Sequence, residues 1–334
     1  MQSHRQTRLF STQIQQPAYF FKKINGNIWN LANNHTTDCG RAGIEQTLNI
    51  ARENGVKTVG LGLDLDEASR PVIIENDGAD IGIISLGDEV LQAATENSEG
   101  VVCWENTEKI AEMIKGVKKS CRFCVVVVHT GPEFAHIMPP AVRRVYRNYL
   151  KLGADVVVGH HPHVVQNYEE VGDKVIFYSL GNFIFDTDYQ RLQQYTDKGV
   201  LIKLCFDKEG FSWDYQGFTI DRERQALVHS DAPDIFTNVT PLQFALLSPL
   251  AARTLHYTNK LKYTSIKPEF RSFTERRWYK YYFGKIKKSA RWRGIIIGNM
   301  LYHLHYWRLA DKKLQKYIKE GIKPEYKNKI IPLK

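Results

Sequence analysis

An α/β fold, built on a mixed sheet or on two stacked sheets, is what this sequence predicts, and three observations predict it. Uninterrupted β-branched runs, Val125 to Val128 and Val156 to Val158, read as strands buried on both faces. Segments with apolar residues at helical spacing alternate with such runs through the first half. In the second half, strand-like segments are joined across short turns such as Gly172-Asp173 and Asp207-Lys208-Glu209-Gly210, as hairpins are. Helices therefore dominate early and hairpins late, against a purely parallel sheet.

Taken in order, Ile28 to Ala32 is the first ordered-looking stretch and runs straight into Asn33-Asn34-His35. Gly43 to Asn54 has Ile44, Leu48 and Ala51 on one helical face, with Gly55 as a stop. Val56 to Gly60 and Ile81 to Leu86 read as strands. Thr107 to Val117 reads as a helix with Ile110, Met113 and Ile114 inward, and Ala141 to Leu152 as another, ended by Gly153. Asp155 to Val158 is a buried strand. Val164 to Tyr168 and Lys174 to Tyr178 form a hairpin, as do Gly199 to Phe206 and Phe211 to Ile220.

The 334 residues are 43% hydrophobic, 25% charged and 12% aromatic, which excludes a disordered or collagen-like chain. No apolar run reaches the ~18 residues of a membrane-spanning helix. Residues 1–20, rich in Gln, Ser and Thr, hold no apolar core of the ~7–15 residues that a secretory signal needs, and they read as an irregular segment. Five cysteines are too few for a disulfide scaffold, and Cys121-Arg122-Phe123-Cys124 enters a strand rather than opening a helix, so its thiols read as ordinary buried ones. The net charge of +10 is unevenly divided. From Arg253 to Lys334 there are 22 Lys and Arg against 5 Asp and Glu, so a mildly acidic body at −7 carries a basic tail at +17. Residues 21–240 read as one domain and 241–334 as a basic, aromatic-rich helical extension. Trp278, Tyr279, Tyr281, Tyr282, Trp292 and Trp307 in that extension suit a membrane interface or a solvated helix folded back on the body, and its charge suits an anionic polymer. No nucleic-acid module is recognisable.

The chemistry is concentrated where apolar strands stop at histidine: Ile28–Ala32 at Asn33-Asn34-His35, Val125–Val128 at His129, and Val156–Val158 at Gly159-His160-His161-Pro162-His163. Strand ends of α/β sheets are where ligands collect. In an extended segment His161 and His163 point the same way, so both rings can face one ion, with Pro162 stiffening the link. Imidazole nitrogen with an Asn carbonyl suits Mn, Fe, Zn or similar divalent ions. His35 reads as a ligand, as an acid–base group or as a helix-entry residue packed beside Asp38.

Four segments also resemble motifs of the CapA family, the capsule and poly-gamma-glutamate biosynthesis proteins of the metallo-dependent phosphatase superfamily. Leu31-Ala32-Asn33-Asn34-His35 with Asp38 and Gly40 resembles LANNHxxDxG. His129-Thr130-Gly131-Pro132-Glu133-Phe134 is similar to HWGxEY, with Thr130 in place of Trp. Gly153 to Gln166 resembles GADVVVGHHPHVxQ, and Tyr178 to Asp186 resembles YSLGNFIFD.

The resemblance implies a four-layer αββα sandwich. It implies Asn34, His129, His161 and His163 as metal ligands and His35 as the catalytic imidazole. Asp38, Glu133, Asn182 and Asp186 would be pocket or supporting residues. It further implies hydrolysis of a phosphoester or related bond with two divalent ions, or else a scaffold that grips poly-gamma-glutamate or a capsular polysaccharide, at the cell envelope. Family members open with a strand ending in Gly-Asp and an acidic motif. Nothing of that kind precedes Asn34, and Gly87-Asp88 falls between the first two histidine motifs. The expectation is therefore a site short of carboxylates, holding one ion or none, with an incomplete sheet that a partner chain could cover.

Overall fold

The computed structural model describes residues 23–88, 93–131, 133–138, 140–191 and 193–239. The irregular segment expected over residues 1–20 and the extension expected over 241–334 lie outside the described residues.

The core is a six-stranded sheet in the order β3-β4-β5-β6-β8-β7. Its members are β3 (Val72–Ile74), β4 (Ile81–Gly87), β5 (Phe123–His129), β6 (Val156–His160), β7 (Tyr168–Val171) and β8 (Lys174–Phe177). β4, β5, β6 and β8 run parallel, while β3 and β7 are antiparallel edges. The β-branched runs lie at its centre, where strands are dry on both faces. Two long helices cover it. The first, α3 (Thr107–Ser120), is capped by the Asn106 side chain accepting from the Lys109 amide at 3.2 Å, and it buries Ile110, Met113, Ile114 and Val117. The second, α4 (Pro140–Leu152), opens on a proline, a residue suited to a first helical turn. Gly82 lets α3 close on β4, since a Cβ there would sit 2.3 Å from a Val117 methyl.

The opposite face takes a second sheet of β9 (Lys198–Phe206), β10 (Phe211–Asp221) and β11 (Ala226–His229), in the order β11-β10-β9. Aromatic rings weld the two sheets together. Trp213 meets Phe177 at 5.0 Å and Tyr168 at 4.8 Å, and Phe206 meets Phe123 at 5.0 Å between centroids. Helices, mixed sheet and second sheet thus stack in layers, the mixed α/β architecture expected from the sequence.

A smaller unit stands beside β4. Here β1 (Ile28–Asn30) pairs in parallel with β2 (Lys57–Val59), joined through α1 (Gly40–Glu53). The unit keeps its own apolar cluster of Ala32, Ile44, Leu48, Leu61 and Val101. It touches the large sheet through Asn30 Oδ1, which accepts from Ser85 Oγ at 2.5 Å, and through Gly60, where a Cβ would lie 2.7 Å from Ser85 Cβ.

Several elements differ from expectation. The hairpin strand begins at Tyr168 rather than Val164, because residues 161–164 form a bend and Val165 makes only an isolated bridge to Leu180. β3, β11, and the short helices α2 (Leu65–Ala68) and α5 (Asp188–Arg191) have too few periodic residues to announce themselves in sequence. Cys121 and Cys124 are buried free thiols, as read from the sequence, and burial pushes Cys124 up to about 12.

Candidate metal centre

β1 runs parallel to β2, and β4, β5, β6 and β8 run parallel to one another, and the segments that follow β1, β5 and β6 come together. After β1 the chain folds into a tight turn over residues 33–39. The Asn33 side chain is used locally, its Oδ1 accepting from the His35 amide at 2.8 Å. Asn34 is left to face outward from the turn, and its Oδ1 lies 3.0 Å from His129 Nε2. His129 in turn lies 3.1 Å, again at Nε2, from His161 Nδ1. Three donor atoms from three distant segments therefore meet. His163 stands one ring further out, 5.7 Å from His161 between centroids.

The His-Pro-His turn does not bring its rings together as expected. The segment is not extended: His161 has φ 98° and His163 φ 61°, both in the left-handed region that side chains with a Cβ avoid. It is this turn, rather than strand alternation, that sets the two rings, and it leaves them 5.7 Å apart between centroids. The turn is tied down from the neighbouring strand, with the Thr130 amide donating to the His160 carbonyl at 3.1 Å and the Phe134 amide to the Pro162 carbonyl at 2.8 Å. Strain of this kind, about 1–3 kcal/mol per residue, persists only where the surroundings impose it.

Burial, reinforced by the imidazoles of His161, His160, His163 and His35, pushes His129 down to about 2, and burial pushes His160 down to about 4. His129 is thus neutral across the physiological range and offers a lone pair. The close pair of His129 and His161 nitrogens shares a proton or faces a cation, because two lone pairs at 3.1 Å repel. Two ligands held ~2.1 Å from one ion at about a right angle would themselves be ~3 Å apart, the spacing seen from Asn34 to His129 and from His129 to His161. Among the described residues no three His, Cys, Asp and Glu side chains form a metal cluster; the meeting point here depends on an amide oxygen.

His35, with its side chain 66% exposed, has Nδ1 2.9 Å from Asp38 Oδ2. Glu133 is half-buried in the turn after β5. Asn182 is buried with Oδ1 2.9 Å from His163 Nδ1. Asp186 is drawn the other way, into ion pairs with Arg191 at 2.9 Å and Arg222 at 2.8 Å. Burial raises its pKa, but the two guanidinium groups outweigh that and hold the carboxyl below its ordinary range.

Sequence reasoning missed some neighbours. Phe185 stacks on His163 at 5.2 Å and Phe134 lies 5.9 Å from it. Thr130 donates to Asp88 at 3.1 Å, which gives Gly87-Asp88 a place at the same sheet edge, though by way of β4. A strand followed by Gly-Asp was the available signal.

The body is of the mixed α/β class, with imidazoles of separate segments brought side by side at the ends of its parallel strands. Residues 3–187 match the profile of the bacterial capsule synthesis protein PGA_cap, and the chain belongs to that family. It is 32% identical over 210 residues to the PGA biosynthesis protein CapA of Bacillus subtilis strain 168, covering 62% of this chain and 52% of that one. It is 30% identical over 175 residues to the capsule biosynthesis protein CapA of Bacillus anthracis, covering 51% and 43%. A Mycobacterium tuberculosis relative described as a probable polyglutamine synthesis accessory protein is 25% identical over 170 residues, covering 47% and 44%. The chain spans about half the length of the curated relatives it matches.

Proposed function

We propose that the Asn34–His129–His161–His163 cluster holds one divalent cation and serves metal-assisted hydrolysis of a phosphoester or related bond during capsule or poly-gamma-glutamate assembly at the cell envelope. One observation carries the reading: an amide oxygen and two imidazole nitrogens from separate segments stand within 3.1 Å of their neighbour. A bound ion would supply Lewis acidity and an acidified water. The four donors are all neutral, so they suit one ion; a pair would repel without carboxylates between them.

The chain's own residues would do the rest. Asp38 accepts from His35 Nδ1, which orients the exposed ring and turns Nε2 outward, where it can give a proton to a departing oxygen. Asn33 fixes the turn that carries both Asn34 and His35. Phe134 and Phe185 flank His163 and keep water from its faces. The basic residues 253–334, at +17, would hold an anionic polymer or lie against acidic lipid headgroups.

The test is hydrolysis of an aryl phosphate with added Mn, beside metal content after dialysis. The intact chain should turn over and retain about one ion. A His161→Ala, His163→Ala double variant should lose both. Equal rates in the two proteins would remove catalysis from this site, and metal retained without turnover would favour a non-catalytic scaffold that grips the polymer.

A further inference from the structure

Asn182, Gln190 and Thr196 are polar, fully buried, and joined to one another. None touches the meeting point of Asn34, His129 and His161 in the hydrogen bonds described above, and nothing about the ion explains why three uncharged polar side chains should be withdrawn from water together. Burial of such groups is costly unless their hydrogen bonds are made, so their arrangement is informative.

An asparagine amide is ambiguous until its partners are known. Here one partner resolves it. The Thr196 backbone carbonyl, 3.0 Å from Asn182 Nδ2, can only accept, so the amide nitrogen must face it. Gln190 Oε1, 3.1 Å from the same nitrogen, takes the second proton. Gln190 is itself held by position, its backbone carbonyl accepting from Thr196 Oγ1 at 2.6 Å. Both amide protons are then used on the far side, and Asn182 Oδ1 is left facing His163 Nδ1 at 2.9 Å. An oxygen that can only accept requires that Nδ1 carry the proton.

Resting on the cation reading above, we infer that Asn182 is a positioning residue that fixes His163 as the Nδ1–H tautomer, with Gln190 and the Thr196 carbonyl setting the amide's direction, so that Nε2 is the nitrogen offered as a ligand. His161 is the opposite case, since its Nδ1 is the atom at His129. The two histidines of one turn would thus present different nitrogens. The chain after β8 contributes to the site not by touching the ion but by choosing which nitrogen of His163 does.

The experiment reads the tautomer directly. Long-range proton–nitrogen NMR correlations on the metal-free chain, labelled with 15N at histidine and assigned by His163→Gln, should place the His163 proton on Nδ1. In Asn182→Ala the His163 signals should move to a mixture of tautomers, and Co affinity measured by titration should fall roughly 10–100-fold, the usual cost of losing an outer partner of a histidine ligand. Gln190→Glu, which keeps an acceptor for the amide, should stay near the parent in both readouts, whereas Gln190→Leu should fall between.

A proton on Nε2 in the parent chain would overturn the inference, and so would an unchanged His163 spectrum in Asn182→Ala. If the tautomer behaves as expected but no variant binds Co, the positioning role stands and the cation reading falls. Because the parent spectrum alone can refute the role, the test survives a variant that fails to fold.

Discussion

The large sheet and the β1–α1–β2 unit reach the same site from different footings. His129, His161 and His163 rise from the centre of a sheet whose apolar cluster is continuous through Ile84, Ile114, Val126, Tyr146 and Phe177, covered by helices on one face and by a second sheet on the other. Asn34, His35 and Asp38 hang from two three-residue strands and one helix over a cluster of five buried residues. The proposed centre would then have a stiff half that supplies the nitrogens and a soft half that supplies the amide oxygen and the exposed imidazole. The difference teaches where stability and function should part company: damage to the sheet should unfold the protein, while damage to the small unit should loosen the site first.

The largest effect expected on the stiff side is at Glu169. This carboxylate is buried under the end of α4, where it receives Arg143 and Arg147 and accepts from Tyr178 Oη at 2.6 Å. Glu169→Ala takes from partly buried Arg143 and buried Tyr178 the carboxylate they share, a loss of about 3–5 kcal/mol in global stability by denaturant titration. A loss under 1 kcal/mol would mean that the network is loosely held and that the sheet is not the stiffer half.

Acid should narrow the gap between the halves. Burial pushes His136, in the loop between β5 and α4, down to about 4 from an ordinary value of 6.5. Between those values the unfolded chain binds a proton that the folded one refuses. The stabilising contribution is whole above about pH 6.5 and falls by ~1.4 kcal/mol per unit as pH drops towards 4, below which both states are protonated. His136→Phe should reduce proton uptake on unfolding at pH 5 by about one, measured as a shallower fall of the denaturation midpoint with pH. An unaltered slope would clear this histidine.

Much of this contrast was legible in the residues. Val125–Val128 and Val156–Val158 announce the central strands because β-branched runs of that length have few other uses, and Ile44, Leu48 and Ala51 announce α1. The three histidine-bearing strand ends were readable for the same reason: an apolar run that stops at a polar cluster marks the sheet edge. What could not be read was how the rings converge. The positive φ values of His161 and His163 are imposed by amides of Thr130 and Phe134, and that tertiary constraint leaves no mark on local pattern. Gln190 is equally silent, a lone glutamine whose meaning comes from an asparagine eight residues back and a hydroxyl six residues on.

The smallest effect is the most discriminating, because it applies one chemical change to both halves. Ile44 in α1 and Ile114 in α3 are each fully buried on the inner face of a 14-residue helix. Removing one methyl from either, as Ile→Val, costs about 0.5–1.5 kcal/mol by lost burial and a small void. In Ile114→Val the loss should appear in global unfolding, with exchange of the slowest β4 and β5 amides quickened together. In Ile44→Val the α1 amides should exchange faster while those of β5 and β6 keep the parent's protection, since a unit with its own small cluster can open without the sheet. It meets the sheet through the Asn30–Ser85 bond, the Lys57 ammonium on the Ile73 carbonyl and the close packing at Gly60, while its apolar cluster stays separate from the sheet's own. Quickened exchange throughout the sheet in Ile44→Val would show instead that the two clusters unfold as one, and that Asn34 is held as firmly as the histidines it faces.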